Sequence, residues 1–366
     1  MLRKTSIALV ALVAGHVGWV SAQTSGTPLT PSPDQPASRV GTRGANFLEI
    51  GVGARAQGLA GAVTGLASGA TAMYWNAAGI GTVGGLDAVF SRSDLYGDLG
   101  ITHTYAGVVL PLFGGGLGVS YNRLDSGDIP RTDEFNPDGG DFAIGNVFDW
   151  TGTAVGLHYG RRLTDRLAVG FGSKVITEGM NGASANWWGV DIGTQFTTGL
   201  YGLTVGAALS NVGSSSRMEG ALITRRVTAD DAFGVDLPVR FSTRPLQLPT
   251  LFRFSIVQNL AGGTDGLFMA NSSHRMQLAV QLSDAIDTDL ETAIGLEYNY
   301  RNVLFLRGGK RWVNEANDSF RTGKNGLSFG GGLRLALLGR HVNFDYAHTS
   351  LNDLENIQVF TFGFGN

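Results

Sequence analysis

The sequence predicts an all-β fold: a transmembrane antiparallel β-barrel of about fourteen strands whose lumen holds a short helical N-terminal plug. Three observations lead there. From Asp87 onward, apolar and polar residues alternate with period two in one stretch after another. Glycine supplies 55 of the 366 residues beside 10% aromatics, a mixture that suits many strands joined by turns. Ahead of the alternating part lies a segment made mostly of Gly, Ala and Ser, small enough to enter a narrow space.

Residues 1–22 read as a secretory signal. Arg3 and Lys4 form its charged region and Ile7 to Val20 its apolar core. Val20-Ser21-Ala22 puts small residues at the cleavage point. Gly15 and His16 interrupt that core, which is short for a spanning helix. Residues 23–43 are rich in Thr, Ser and Pro (Pro28, Pro31, Pro33, Pro36) and read as a flexible leader. Export without a single cysteine leaves the fold to its own hydrogen bonds. A net charge of -3, with no basic stripe, argues against nucleic acid as a partner.

Residues 44–85 form the expected plug, centred on Gly44 to Ile80. The stretch has neither strand alternation nor a long apolar run. One helical turn is expected at Ala70 to Trp75, capped by Ser68, with Gly79 ending the helical segment. Its bulky apolar groups are Phe47, Leu48 and Ile50, then Met73, Tyr74 and Trp75. Met73, Tyr74, Trp75 and Asn76 are the candidates for gating the lumen or touching a hydrophobic ligand, with anchoring of the plug as the competing role.

Residues 86–366 form the expected barrel. Trp188, Val190, Ile192, Thr194 and Phe196 share one face against Asp191, Gly193 and Gln195. Ile294, Leu296, Tyr298 and Tyr300 do the same against Gly295, Glu297 and Asn299. Facing lipid on the apolar side requires closure, which leaves no unsatisfied sheet edge. The polar faces then turn Lys174, Asp191, Arg253, Glu297, Arg307, Arg334 and Asp345 into the lumen, where both signs can pair. Short connections are expected after Leu110, Tyr159, Phe196, Tyr300 and Ala336, and long polar ones after Arg123, Val175, Leu209 and Lys310. Trp150, Tyr159, Trp188, Tyr201, Tyr298, Tyr300, Trp312 and Tyr346 are expected in interfacial girdles. Phe360, Phe362 and Phe364 make an aromatic last strand, as outer-membrane barrels commonly have. The expected place is therefore the outer membrane of a bacterium, with its lipid as a partner.

With these residues in view, the chain resembles the PorV/PorQ family of outer-membrane proteins, relatives of the FadL-type transporters. The resemblance rests on GARAQGLAGA (Gly53 to Ala62) and AMYWNAAGI (Ala72 to Ile80), and on RRLTDRLAVGFGSKVI (Arg161 to Ile176). Further echoes are Val190 to Gly213 and Ile294 to Arg311. Ala77 stands where the family usually has proline. The resemblance implies a fourteen-stranded barrel with an N-terminal plug. It implies a non-enzymatic role in protein secretion across the outer membrane, type IX-like, by holding or shuttling exported proteins. Its alternative implication is a FadL-like channel for long-chain fatty acids or other hydrophobic small molecules.

Enzymatic and cofactor readings fail on context. Gly51-Val52-Gly53-Ala54-Arg55-Ala56 fits a loose dinucleotide fingerprint, but Gly58, Gly61, Gly65 and Gly69 break the helix that motif needs. The acidic loop 124–149 includes Asp125, Asp128, Asp133, Asp138 and Asp141, which offer oxygens to calcium. Their spacing matches no EF-hand, so a solvated surface loop is the preferred reading. The histidines show no metal spacing, and no G-x-S-x-G elbow is present. No cofactor is expected. A dry path past Trp75 to a lateral opening would favour the conduit. A sealed lumen with an apolar patch on the long loops would favour protein binding.

Overall fold

The computed structural model describes residues 41–132, 134, 137, 147–228, 236–263, 265–313, 326–337, 339–352 and 355–365. The expected signal, most of the leader, and Asp133, Asp138 and Asp141 lie outside them. Fourteen antiparallel strands close into a barrel. They are β1 (Asp87–Leu95), β2 (Ile101–Leu112), β3 (Gly115–Asp125), β4 (Trp150–Arg162), β5 (Leu167–Met180), β6 (Ala183–Thr197) and β7 (Thr204–Gly213). The second half comprises β8 (Leu251–Gly263), β9 (Asn271–Ala285), β10 (Glu291–Tyr300), β11 (Leu304–Val313), β12 (Leu327–Leu337), β13 (Arg340–Asn352) and β14 (Glu355–Gly365). The first strand closes on the last, from Asp87 opposite Gly365 to Leu95 opposite Ile357. Closure leaves no strand edge of the barrel without a partner, which a hydrocarbon surround demands.

The wall is turned inside out relative to a soluble protein. Val175 pairs with Trp188 across β5 and β6, and these side chains are 66% and 60% exposed on the outer face. One residue further on, the paired Ile176 and Trp187 point inward and are buried. Outside, Phe344 and Phe362 stack at 5.1 Å between neighbouring strands. An apolar outer band over closed strands places the protein in the bacterial outer membrane. Among the described residues no helix is long and apolar enough to cross a membrane.

The chain differs from expectation at several element ends. The connection after Val175 is not long: β5 runs on to Met180 and turns in Asn181-Gly182. Gly182 has φ +92°, which this dipeptide reaches without strain. Residues 177–180 belong to that strand: Glu178 faces inward with Ile176 and accepts from the Ala45 amide, and exposed Thr177 lies on the face of Val175. Trp150 is not a girdle residue, because it pairs with Met180 and so shares the inward face of Glu178 and Ile176. A shift of one residue reverses the face. In the inner segment, Ser68 does not cap the short helix and Gly79 does not end the helical stretch.

Residues 44–82 lie inside the barrel. They form 3-10 turns at Asn46–Glu49 and Ala77–Thr82 and two short helices, α1 (Ala54–Gly58) and α2 (Ala72–Trp75). Thr71 stands at the start of α2 with no side-chain cap, and Gly79 sits within the second 3-10 turn. Asn76 caps the second 3-10 turn: its Oδ1 accepts from the Ala78 amide at 3.2 Å. Its Nδ2 donates to Thr64 O at 3.0 Å and to Thr194 O on β6 at 2.9 Å. These short helices leave many backbone groups unpaired, and wall side chains take them up. Glu178 accepts from Ala45, Thr361 from Ala54, Asp87 from Ala70, and Gln281 from Val63 and Thr64. The segment is thus held from several sides of the wall.

Inward-facing glycines let it sit so close. A β-carbon on Gly170 would lie 2.1 Å from the Ala77 carbonyl carbon, and one on Gly206 would lie 2.6 Å from Gly65 Cα. On the far side, Gly309 faces the Leu59 backbone in the same way at 2.6 Å. Nothing but hydrogen fits in these gaps. A Gly170→Val variant should keep its strands paired yet lose about 1–3 kcal/mol of inner-segment seating. Limited proteolysis of the folded barrel in detergent checks this: residues 44–82 should be cut in the variant and protected in the parent.

Candidate functional site in the lumen

Two cavities flank the inner segment. The larger, about 440 Å³, opens toward the end of short turns and is bordered by Arg55, Asp87, Glu297, Phe305, Arg334 and Asp345 among others. The smaller, about 110 Å³, lies toward the long-loop end beside Glu49, Arg253, Glu291 and Arg311. Trp75 borders both. Its indole therefore stands in the partition between them.

Of the four residues singled out in the sequence, Trp75 alone borders the cavities, and Met73, Tyr74 and Asn76 are packed beside it. Met73 is buried and fits a notch made by Gly107 and Gly118, where a β-carbon would come within 2.7 Å of Cε and 2.5 Å of Sδ respectively. Tyr74 donates its hydroxyl proton to Leu48 O at 2.9 Å and meets Trp75 edge to face at 5.0 Å. Trp75 Nε1 donates to Val52 O at 2.9 Å. The Arg253 guanidinium covers both rings, 5.1 Å from Tyr74 and 4.9 Å from Trp75. That cation–π contact is stronger here than at a free surface, because Arg253 is buried. Asn76 holds the turn to β6 through its bond to Thr194 O.

The charged residues of the inner wall form two groups. On one side Lys174 meets Asp191 at 2.8 Å and Asn211 Oδ1 at 2.6 Å. On the other, Glu297 accepts from Arg55 through both oxygens at 2.9 Å and from Arg307 Nε at 2.7 Å. Arg307 Nη1 in turn donates to Asp345 at 2.5 Å. Arg334 donates to Asn343 Oδ1 at 2.9 Å, and it and Arg307 lie on the Phe305 ring at 5.1 and 5.2 Å. The ion network ties β10, β11 and β13 to α1 of the inner segment. Reasoning from sequence misses Arg55 and Glu49 as site residues. The available signal is that they are the two charged residues between Gly44 and Thr82.

Among the described residues no three metal-binding side chains converge. Asp125, at the base of the acidic loop, pairs with Arg123 at 2.9 Å and accepts from the Gly127 amide. Ser120 Oγ lies 3.0 Å from His158 Nε2, but neither borders either cavity.

Removing one member of a buried ion network exposes how it is balanced. Glu297→Gln leaves Arg307 and Arg55 sharing Asp345 alone, and should cost about 3–5 kcal/mol of stability. Arg55→Met leaves the Glu297–Arg307 pair intact and should cost less. Denaturant unfolding of the detergent-solubilised barrel ranks the two.

No family model and no curated protein matches this chain in sequence. Solved structures do resemble it. A FadL homologue of Pseudomonas aeruginosa is 12% identical, with 85% of this chain and 97% of that one covered at a TM-score of 0.50. The toluene transporter TbuX of Ralstonia pickettii is 11% identical, over 84% and 96%, at 0.48. The toluene transporter TodX of Pseudomonas putida is 10% identical, over 82% and 91%, at 0.45. At such identities the likeness is one of fold alone, that of a closed outer-membrane β-barrel.

Proposed function

We propose that the protein is a gated outer-membrane conduit for hydrophobic small molecules and that residues 44–82 are its gate, a plug. The observation that carries this is the pair of cavities entered from opposite ends and parted at Trp75. A partition one aromatic residue thick becomes a path once that residue moves. The larger cavity offers Val52, Val63, Leu66, Val89 and Phe305 beside its arginines. Such a surface suits an apolar molecule that carries a polar end. The fold shared with a FadL homologue supports the same reading, which the sequence resemblance offers as its alternative.

A second reading, capture of exported proteins of the PorV type, is favoured by one feature. The connection from β7 to β8 presents Leu222, Val239 and Phe241 to solvent, all at least 44% exposed. The two readings separate experimentally. Trp75→Ala removes the partition and should cost about 3–5 kcal/mol of plug seating. In proteoliposomes it should speed entry of a fluorescent fatty acid, and a deletion of residues 44–82 should speed it further. If neither change alters permeation, while trimming residues 224–240 abolishes co-purification of exported proteins, the capture reading takes its place.

A further inference from the structure

The inner segment carries two charges that meet different fates. Arg55 is clasped by Glu297 at two points. Glu49 Oε1 is buried without a hydrogen-bond partner among the described residues. Around it stand Glu291 on β10, Arg253 on β8 and Arg311 on β11, all bordering the smaller cavity. Asp287, in the connection from β9 to β10, adds its negative field and has an unpartnered Oδ1 of its own, although it is only 3% exposed. The cations nearby are shared. Arg253 is spread over the Tyr74 and Trp75 rings, Arg311 lies 3.8 Å from Glu291, and the field of Arg43 acts on Asp287. A carboxylate on the inner segment thus shares a small cavity with Glu291, in the field of Asp287 and beside the arginine that covers the partition.

We propose that Glu49 is a proton-operated catch: protonated, it lets the inner segment sit in the barrel, and ionised, it loosens that segment at the Arg253–Trp75 contact. The proposal rests on the conduit reading for its consequence, but the coupling itself is a property of the inner segment. Burial first, then the charges of Asp287 and Glu291, raise the seated carboxyl from 4.5 to about 7, and Arg253 opposes them. A released, hydrated Glu49 returns to its ordinary value. The seated form therefore binds the proton more tightly, and seating is strongest at acid pH. That advantage falls as pH rises from about 4.5 to about 7 and is gone at higher pH.

The chain has no cysteine, so one reporter thiol suffices. Thr64 is fully buried and its hydroxyl is unpartnered, which makes Thr64→Cys a close fit. Labelling of that thiol by a membrane-impermeant methanethiosulfonate reports each release of the segment. Between pH 5 and pH 8 the rate should rise by on the order of tens of fold beyond the rise in a Glu49→Gln background, which cancels the thiol's own ionisation. Glu49→Asp, which keeps an acid at the position, should restore a pH-dependent excess. Equal pH profiles with and without Glu49 would overturn the catch. A pH-dependent release that leaves fatty-acid permeation unchanged would uphold the catch and sink the gate instead.

Discussion

Close backbone approach between the inner segment and the wall is the constraint on which the rest depends. A fourteen-stranded barrel encloses more space than its own inward side chains fill, and this one fills it with chain rather than with bulky residues. Gly170, Gly206 and Gly309 present bare backbone, and Ala77, Gly65 and Leu59 come down onto it. The small residues of the inner segment and the glycines of the wall are two halves of one fit. Every other contact of the segment, from the Asn76 clamp to the Arg253 stack, presupposes that separation.

Polarity is arranged to suit it. Lipid outside leaves the lumen as the place where charge can be kept, and charge there must be matched. Arg55, Glu297, Arg307 and Asp345 form a chain of contacts between 2.5 and 2.9 Å that joins the segment to three strands. Wall side chains such as Gln281 and Asp87 hydrogen-bond amides that the short helices leave open. These polar contacts act beside apolar ones: Phe47 and Leu48 pack with Ile176, Trp187 and Leu248, and Met73, Trp75 and Ile80 with Tyr105 and Val109. Arg55 is fully matched by the two oxygens of Glu297. This is why Glu49, the one charge of the segment left poorly matched, stands out against its surroundings.

The partition concentrates what the lumen can do. Trp75 is fixed by its Val52 hydrogen bond and by Arg253, and Tyr74 is fixed by Leu48. Two of these anchors lie within the segment itself, and the third, Arg253 on β8, borders the smaller cavity. The same contacts fix Trp75 where it borders both cavities.

The sequence by itself determined the fold class and the two faces of each strand. Alternation is a local property, written in residues two apart, and lipid selects the apolar face whatever the topology. Closure could be inferred because no other spanning element was available. The turn after Met180 was also legible in Asn181-Gly182, but polar rim residues hid it, because lumen-facing and loop residues look alike in composition. The tertiary structure alone decided which glycines receive backbone and which polar residues pair. Glu297 lies 242 positions from Arg55, and Thr361 lies 307 from Ala54. Contacts at such separation are set by the barrel's curvature and register, which bring distant strands around a common axis, and no local pattern encodes them.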